Sequence, residues 1–150
     1  QATKRNSNFV ITKASATEQD RYLFEKAKPD IIFDLEQSAK PDGLHQRNSG
    51  LNHIMAALAA KNNMAIGFSF SSILNSAGFR RAQIMGRMAQ NLILCRKYKV
   101  KMVMASFASD KYEMRHARDL LNFCLVLGMN DKEAGEALNF KKKEMLPRFV

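Results

Sequence analysis

The side chains with the clearest chemical bias are cations placed beside loops and helix ends. Arg80 and Arg81 open a long segment of helical period. Arg96, Lys97, Lys99 and Lys101 surround its end, and Lys111, Arg115, His116 and Arg118 gather about Tyr112. A cation at a helix N-terminus faces the positive end of the dipole. Arg81 also falls on the apolar side of the helical wheel, so it needs a negative partner. That partner is either a carboxylate, Asp34 or Asp110, or a phosphate brought by a ligand. Around Tyr112, the forks of arginine suit phosphate oxygens and the ring offers a face to an unpaired base, against the plainer reading of a solvated loop. Lys97 lies in the densest basic run, where a solvated helix C-terminus is the ordinary reading. Arg87 shares the polar face of the same helix with Gln83, Gln90 and Lys97.

The residue types of an autonomous active site do not converge in the sequence. There is no GxGxxG, Walker or G-x-S-x-G pattern. His45, His53 and His116 are not spaced as metal ligands on one element. His53 lies in the first turns of a helix, just off its apolar face, where a packed or capping role is the usual one. Asp34, Glu36 and Asp110 are loop carboxylates with nothing to gather them, so no catalytic residue, metal or cofactor is assigned. Cys95 and Cys124 sit in apolar helical patterns and read as small buried hydrophobes.

The elements that must position the cations form a repeating pattern. Phe9–Thr12 reads as a strand. A helix opens on the Thr17–Asp20 capping pair and stops before Pro29, and Ile31–Phe33 is the next strand. A long polar connection, Asp34–Asn48, leads to a helix capped by Ser49 with Leu51, Ile54, Met55 and Leu58 as its apolar face. Met64–Phe68 is apolar on both faces, as a strand covered by helices must be. After the connection Ser69–Phe79 come the helix Arg80–Tyr98 and the strand Lys101–Ala105. A helix over Ala117–Leu127, apolar nearly all round and closed by Gly128, is expected to be buried. Another spans Asp131–Leu138, ahead of the polybasic tail at Lys141–Lys143. Strands that each feed a helix, in one domain over residues 1–150, predict an α/β fold. It is either an open parallel sheet or the C-terminal part of a (β/α) barrel. Sites in such folds gather at the carboxyl ends of the strands, which predicts that the cations share one rim.

The balance of 24 Lys and Arg against 14 Asp and Glu gives a net charge of +10, which calls for an acidic partner. The cations are not laid along one amphipathic helix, so nucleic acid is favoured over a membrane surface. No apolar run approaches the roughly 20 residues of a membrane span, and the first residues lack the apolar core of a signal peptide. A cytoplasmic protein is expected. The chain starts without Met, as a piece of a longer protein would.

Gly50-Leu51-Asn52-His53-Ile54 and Asn63-Met64-Ala65-Ile66-Gly67-Phe68-Ser69 resemble the centre of archaeal ribonuclease P protein component 3, the thirty-kilodalton subunit family. The likeness runs on through Arg81-Ala82, Cys95–Val100, Ala105-Ser106, Arg115, Arg118-Asp119-Leu120 and Leu127-Gly128-Met129, collinear from about Phe9 to Leu138. It implies a TIM-like (β/α) barrel of the polymerase and histidinol phosphatase type, lacking its N-terminal βα units in this chain. It implies an RNA-binding, non-catalytic subunit of the archaeal endonuclease that removes the 5′ leader of precursor tRNA. The implied partners are ribonuclease P RNA and the small ferredoxin-like component 2, with precursor tRNA met indirectly. The family's basic positions fall on Arg81, Lys97 and Arg115, with His53 and Arg118 beside them. Arg87 and Lys111 complete the expected RNA-binding set, while Gln46 and Asn62 stand where relatives tend to be basic. The alternative function is a metal-dependent phosphoesterase on the same fold.

Overall fold

Residues 9–15 and 19–140 are described by the structure, a computed structural model of the chain. Thr17 of the expected capping pair and the basic tail lie outside them. Four strands, β1 (Ile11–Lys13), β2 (Ile31–Phe33), β3 (Ala65–Ser69) and β4 (Lys101–Ala105), form one parallel sheet in the order β1-β2-β3-β4. Their register aligns Ile11 with Ile31, Ile31 with Ala65 and Ala65 with Lys101. Among the described residues the sheet is not closed, and β1 and β4 are its two edges. Each strand thus pairs with its sequence neighbour. Crossovers that all step the same way with the usual right hand keep their helices on one face of the sheet.

The packing follows that rule. Ile32, Ile66, Phe68 and Met104 point into the same core as Met55, Ile84, Met88, Leu92, Leu120, Phe123 and Ala134 of the helices. Alternate strand positions Ile31, Ala65 and Val103 point the other way, where Phe107 and Phe140 pack against them. On that second face, Phe33 and Phe107 stack with centroids 4.2 Å apart. Gly67 makes room for them, since a Cβ there would lie 2.9 Å from both Phe107 Cζ and Phe33 Cβ.

The helices are α1 (Asp20–Tyr22), α2 (His53–Lys61), α3 (Phe70–Leu74), α4 (Gly78–Tyr98), α5 (Ala117–Leu127) and α6 (Asp131–Leu138). Instead of one regular helix to Lys28, α1 passes into a π turn, Leu23–Ala27, that ends on a left-handed Lys28 ahead of Pro29. Asn52, not Ser49, caps α2: its side chain accepts from the Met55 amide. Gly50 is the cause. Its φ of +76° turns the chain, and a Cβ would lie 2.0 Å from the Leu35 carbonyl oxygen, so Ser49 is held away from the helix start. The face α2 buries is Met55, Ala56 and Ala59, while Ile54 is 45% exposed; the alanines let the helix lie close. The connection after β3 contains α3, a single helical turn invisible to periodicity. Helix α5 ends at Gly128 as expected, with φ +100°, but it is amphipathic: Val126 is 70% exposed. Among the described residues no helix is long and apolar enough to cross a membrane.

Candidate nucleic-acid interface

The long connection after β2 is pinned to α4. It opens with a 3-10 turn, Leu35–Gln37, and then runs along the helix as a strap. Side chains of α4 at helical spacing hold it. Arg80 donates to the Gln37 carbonyl, Gln83 to Asp42, Gln90 to the Arg47 carbonyl and Asn91 to the Ser49 carbonyl. Arg87 is the centre of this lacing. Its Nε donates to Asp42 Oδ1 at 2.8 Å, Nη1 to the carbonyls of Glu36 and Ser38, and Nη2 to the Lys40 carbonyl at 2.6 Å. It is 0% exposed. The expectation that Arg87 faces solvent and meets RNA is therefore corrected: the strap covers the face of α4 that the helical wheel leaves polar. Partial desolvation opposes ionisation of Asp42, but the Asn48 amide and the Arg87 guanidinium outweigh it and hold the carboxyl below its ordinary value.

Beneath the strap Glu36 is fully buried, and among the described residues neither of its carboxyl oxygens has another residue as a hydrogen-bond partner. Burial pushes its pKa up to about 8 against the pull of its own backbone amide, and the Asp34 charge adds to the rise, so the protonated form is favoured at neutral pH. Nothing in the sequence pattern distinguishes Glu36 from a solvated loop carboxylate.

Among the described residues no carboxylate meets Arg81. Its Nε donates to the carbonyls of Ile73 and Ser76 at the end of α3, while the side chain stays exposed. Asp34 pairs instead with Lys13 at 3.3 Å, and Asp110 accepts from the Tyr112 amide. Arg115 is half-buried. Its Nη1 donates to the carbonyls of Tyr112 and Met114, and its guanidinium lies 5.9 Å from the Phe70 ring centre. Lys111 is exposed, 5.0 Å over the ring of exposed Tyr112. Arg118 and His53 are exposed at the first turns of α5 and α2. In a parallel sheet with these connections, helix starts lie beside strand carboxyl ends. Arg81, Lys111, Arg115, Arg118 and His53 thus share the end of the sheet where β-strands finish.

Lys97 does not. It stands sixteen residues beyond Arg81 on α4, about 24 Å along the axis at 1.5 Å per residue, next to the start of β4. The single-rim expectation is corrected accordingly. Lys97 belongs with exposed Lys99 at the opposite end, and Arg96 there is engaged by Glu133 at 2.6 Å.

A cleft of about 470 Å³ that sequence reasoning missed opens between α1, the strap and the start of α2. Arg21, Lys40, Arg47 and Gln46 line it. The Arg47 side chain lies so close to α4 that a Cβ on Gly86 would sit 2.3 Å from its Nη1. The cation adjacent to Gln46 thus takes up a position on this cleft. Among the described residues no three His, Cys, Asp or Glu side chains are grouped to hold a metal ion. What the surface offers chemically is charge for phosphates and exposed rings for bases.

A family model described as RNase P subunit p30 matches residues 21–147. The chain is similar to ribonuclease P protein component 3 of Methanosarcina acetivorans, 34% identical over 149 residues, covering 96% of this chain and 57% of the relative. The protein of the same name from Methanosarcina mazei is 36% identical over 102 residues, 68% of this chain and 43% of that one. The chain spans about half the length of the curated relatives it matches. Among solved structures, a chain of a cryo-EM structure of archaeal ribonuclease P with mature tRNA superposes with a TM-score of 0.59. It is 24% identical and covers 85% of this chain and 62% of that chain, a likeness of fold.

Proposed function

The chain belongs to the RNase P subunit p30 family, and on that premise we propose that it is an RNA-binding protein component of ribonuclease P. In this reading it supports the catalytic RNA that cleaves the 5′ leader of precursor tRNA and carries no catalytic residue itself. The partners are ribonuclease P RNA and the small component 2, in the cytoplasm, with tRNA reached through the RNA. The open sheet with helices on one face is read as part of a TIM-like barrel wall, and the described residues as one domain with the rest of 1–150.

The observation that carries the proposal is the exposure of Arg81, Lys111, Arg118 and, at the far end, Lys97, none held by an acidic side chain among the described residues. Cations left free of carboxylates at both ends of a +10 chain suit an extended polyanion. Tyr112 beside Lys111 adds a stacking face. Filter binding of ribonuclease P RNA across a salt series tests this. Binding that neutralises phosphates weakens linearly in log[salt], and Arg118→Ala should lower that slope by about one contact. A flat salt response of the unaltered protein overturns the proposal.

A further inference from the structure

A separate cleft of about 350 Å³ lies where β1 and β2 finish, between the turn after β2, α3 and the loop that follows β4. Its volume is at the lower end of the roughly 300–1,000 Å³ usual for small-ligand clefts. Phe33 and Phe107, the stacked pair, supply its aromatic lining. Among the described residues that line it, the one carboxylate is Asp34, buried and already met by the Ser72 hydroxyl and by Lys13 Nζ. The rest is hydroxyl and amide: Ser76, Ser109, Gln37 and Asn75, whose amide nitrogen is committed to Glu113 and whose carbonyl oxygen is left as an acceptor.

This chemistry narrows the ligand. One neutralised carboxylate is too little for a divalent cation, which takes six or more oxygens and usually several carboxylates. One lysine already spent on Asp34 is too little for an isolated phosphate. Aromatic faces with neutral donors and acceptors around them suit a flat group with polar edges, which describes a nucleobase. The surroundings point the same way. The loop that supplies Phe107 and Ser109 also carries Lys111, Tyr112 and Arg115, and Arg81 is bonded to the carbonyl of Ser76. The cleft is also preformed. Glu113 ties Asn75 to the Ser109 amide, and Ser71 bonds to the carbonyls of both Ser106 and Phe107. Little ordering is then needed on binding.

We infer that this cleft receives one unpaired nucleotide of the bound RNA, its base inside against the aromatic lining and its flanking phosphates outside on Arg81 and Arg115. The inference rests on the RNA-binding reading above and adds to it a base-holding site. It requires an unstacked residue in the RNA, so a fully paired duplex of equal length is a weaker ligand.

Two measurements on the full-length protein test it. The four nucleoside 5′-monophosphates are titrated by amide NMR. Saturable millimolar shifts at Lys13, Asp34, Ser72 and Phe107 are expected. The variant Ser109→Trp fills the cleft from an exposed position whose backbone amide, not its side chain, makes the bond to Glu113. It should lose those shifts and bind ribonuclease P RNA about tenfold more weakly, as loss of one stacked base does, with an unchanged salt slope. Absence of shifts at those amides in the unaltered protein overturns the inference, and this readout does not depend on the variant folding. If the variant binds RNA as tightly as the parent, the cleft assignment falls while the RNA-binding reading stands. If the unaltered protein shows no salt-dependent RNA binding, both fall.

Discussion

Replacing Arg87 by Met separates a structural cation from an RNA-binding one. Met keeps much of the apolar volume and removes the guanidinium, leaving Asp42 without its cation and the carbonyls of Glu36, Ser38 and Lys40 without this donor. Removing one member of a fully buried ion pair costs about 3–5 kcal/mol, and Asp42, partly exposed, places this pair at or below the lower end. The bonds involved are charge-assisted, at roughly 1.5–3 kcal/mol each, but they do not add, because the strap can lift and let water reach its carbonyls. The lower estimate of about 3 kcal/mol is therefore the expectation. Against a typical domain stability of about 5–15 kcal/mol that is a large fraction. Urea unfolding at pH 7 should show a lower midpoint, and a lower m-value if the strap is already detached in the native state. Below the onset of unfolding, the salt slope of RNA binding should match that of the parent, because a 0% exposed guanidinium neutralises no phosphate. A destabilisation under about 1 kcal/mol, or a slope reduced as much as by Arg118→Ala with stability intact, would refute the assignment.

Other outcomes follow from the same geometry. Glu36→Gln should stabilise the protein increasingly as pH rises from about 4.5 to 8. The parent's folded state keeps a proton there that the unfolded chain releases, so its stability falls through that window and levels off above pH 8; unfolding curves of both proteins across pH 5–9 give the difference. Gly67→Ala should cost about 1–3 kcal/mol by thermal or urea unfolding, since its Cβ would force Phe107 and Phe33 apart. Lys97→Ala and Arg118→Ala should each lower the salt slope, and the double variant should show the sum, because the two sites lie at opposite ends of the sheet.

The strands and long helices were legible because burial on both faces and helical period leave marks at fixed spacing. Met64–Phe68 and Lys101–Ala105 are strands within a residue of expectation, and α4 begins two residues before Arg80. What stayed hidden depends on contacts between segments distant in sequence. The cap of α2 moved to Asn52 because Gly50 packs on Leu35 fifteen residues earlier. Arg87 is polar in type and sits on the polar arc, and only the strap folding over that arc buries it. The rim was misjudged for Lys97 because a helical wheel records angle and discards height. Arg81 and Lys111 lie at strand carboxyl ends, as general α/β topology required.

The sequential order of the sheet also bears on how the chain acquires its structure. Each of β2, β3 and β4 hydrogen-bonds to the strand translated just before it. On the ribosome, these three strands find a partner already made, and each finished βα unit presents a template for the next. Pairings separated by a few tens of residues keep loop-closure costs modest. Growth by accretion along one edge, N-terminal units first, is the assembly route this topology favours.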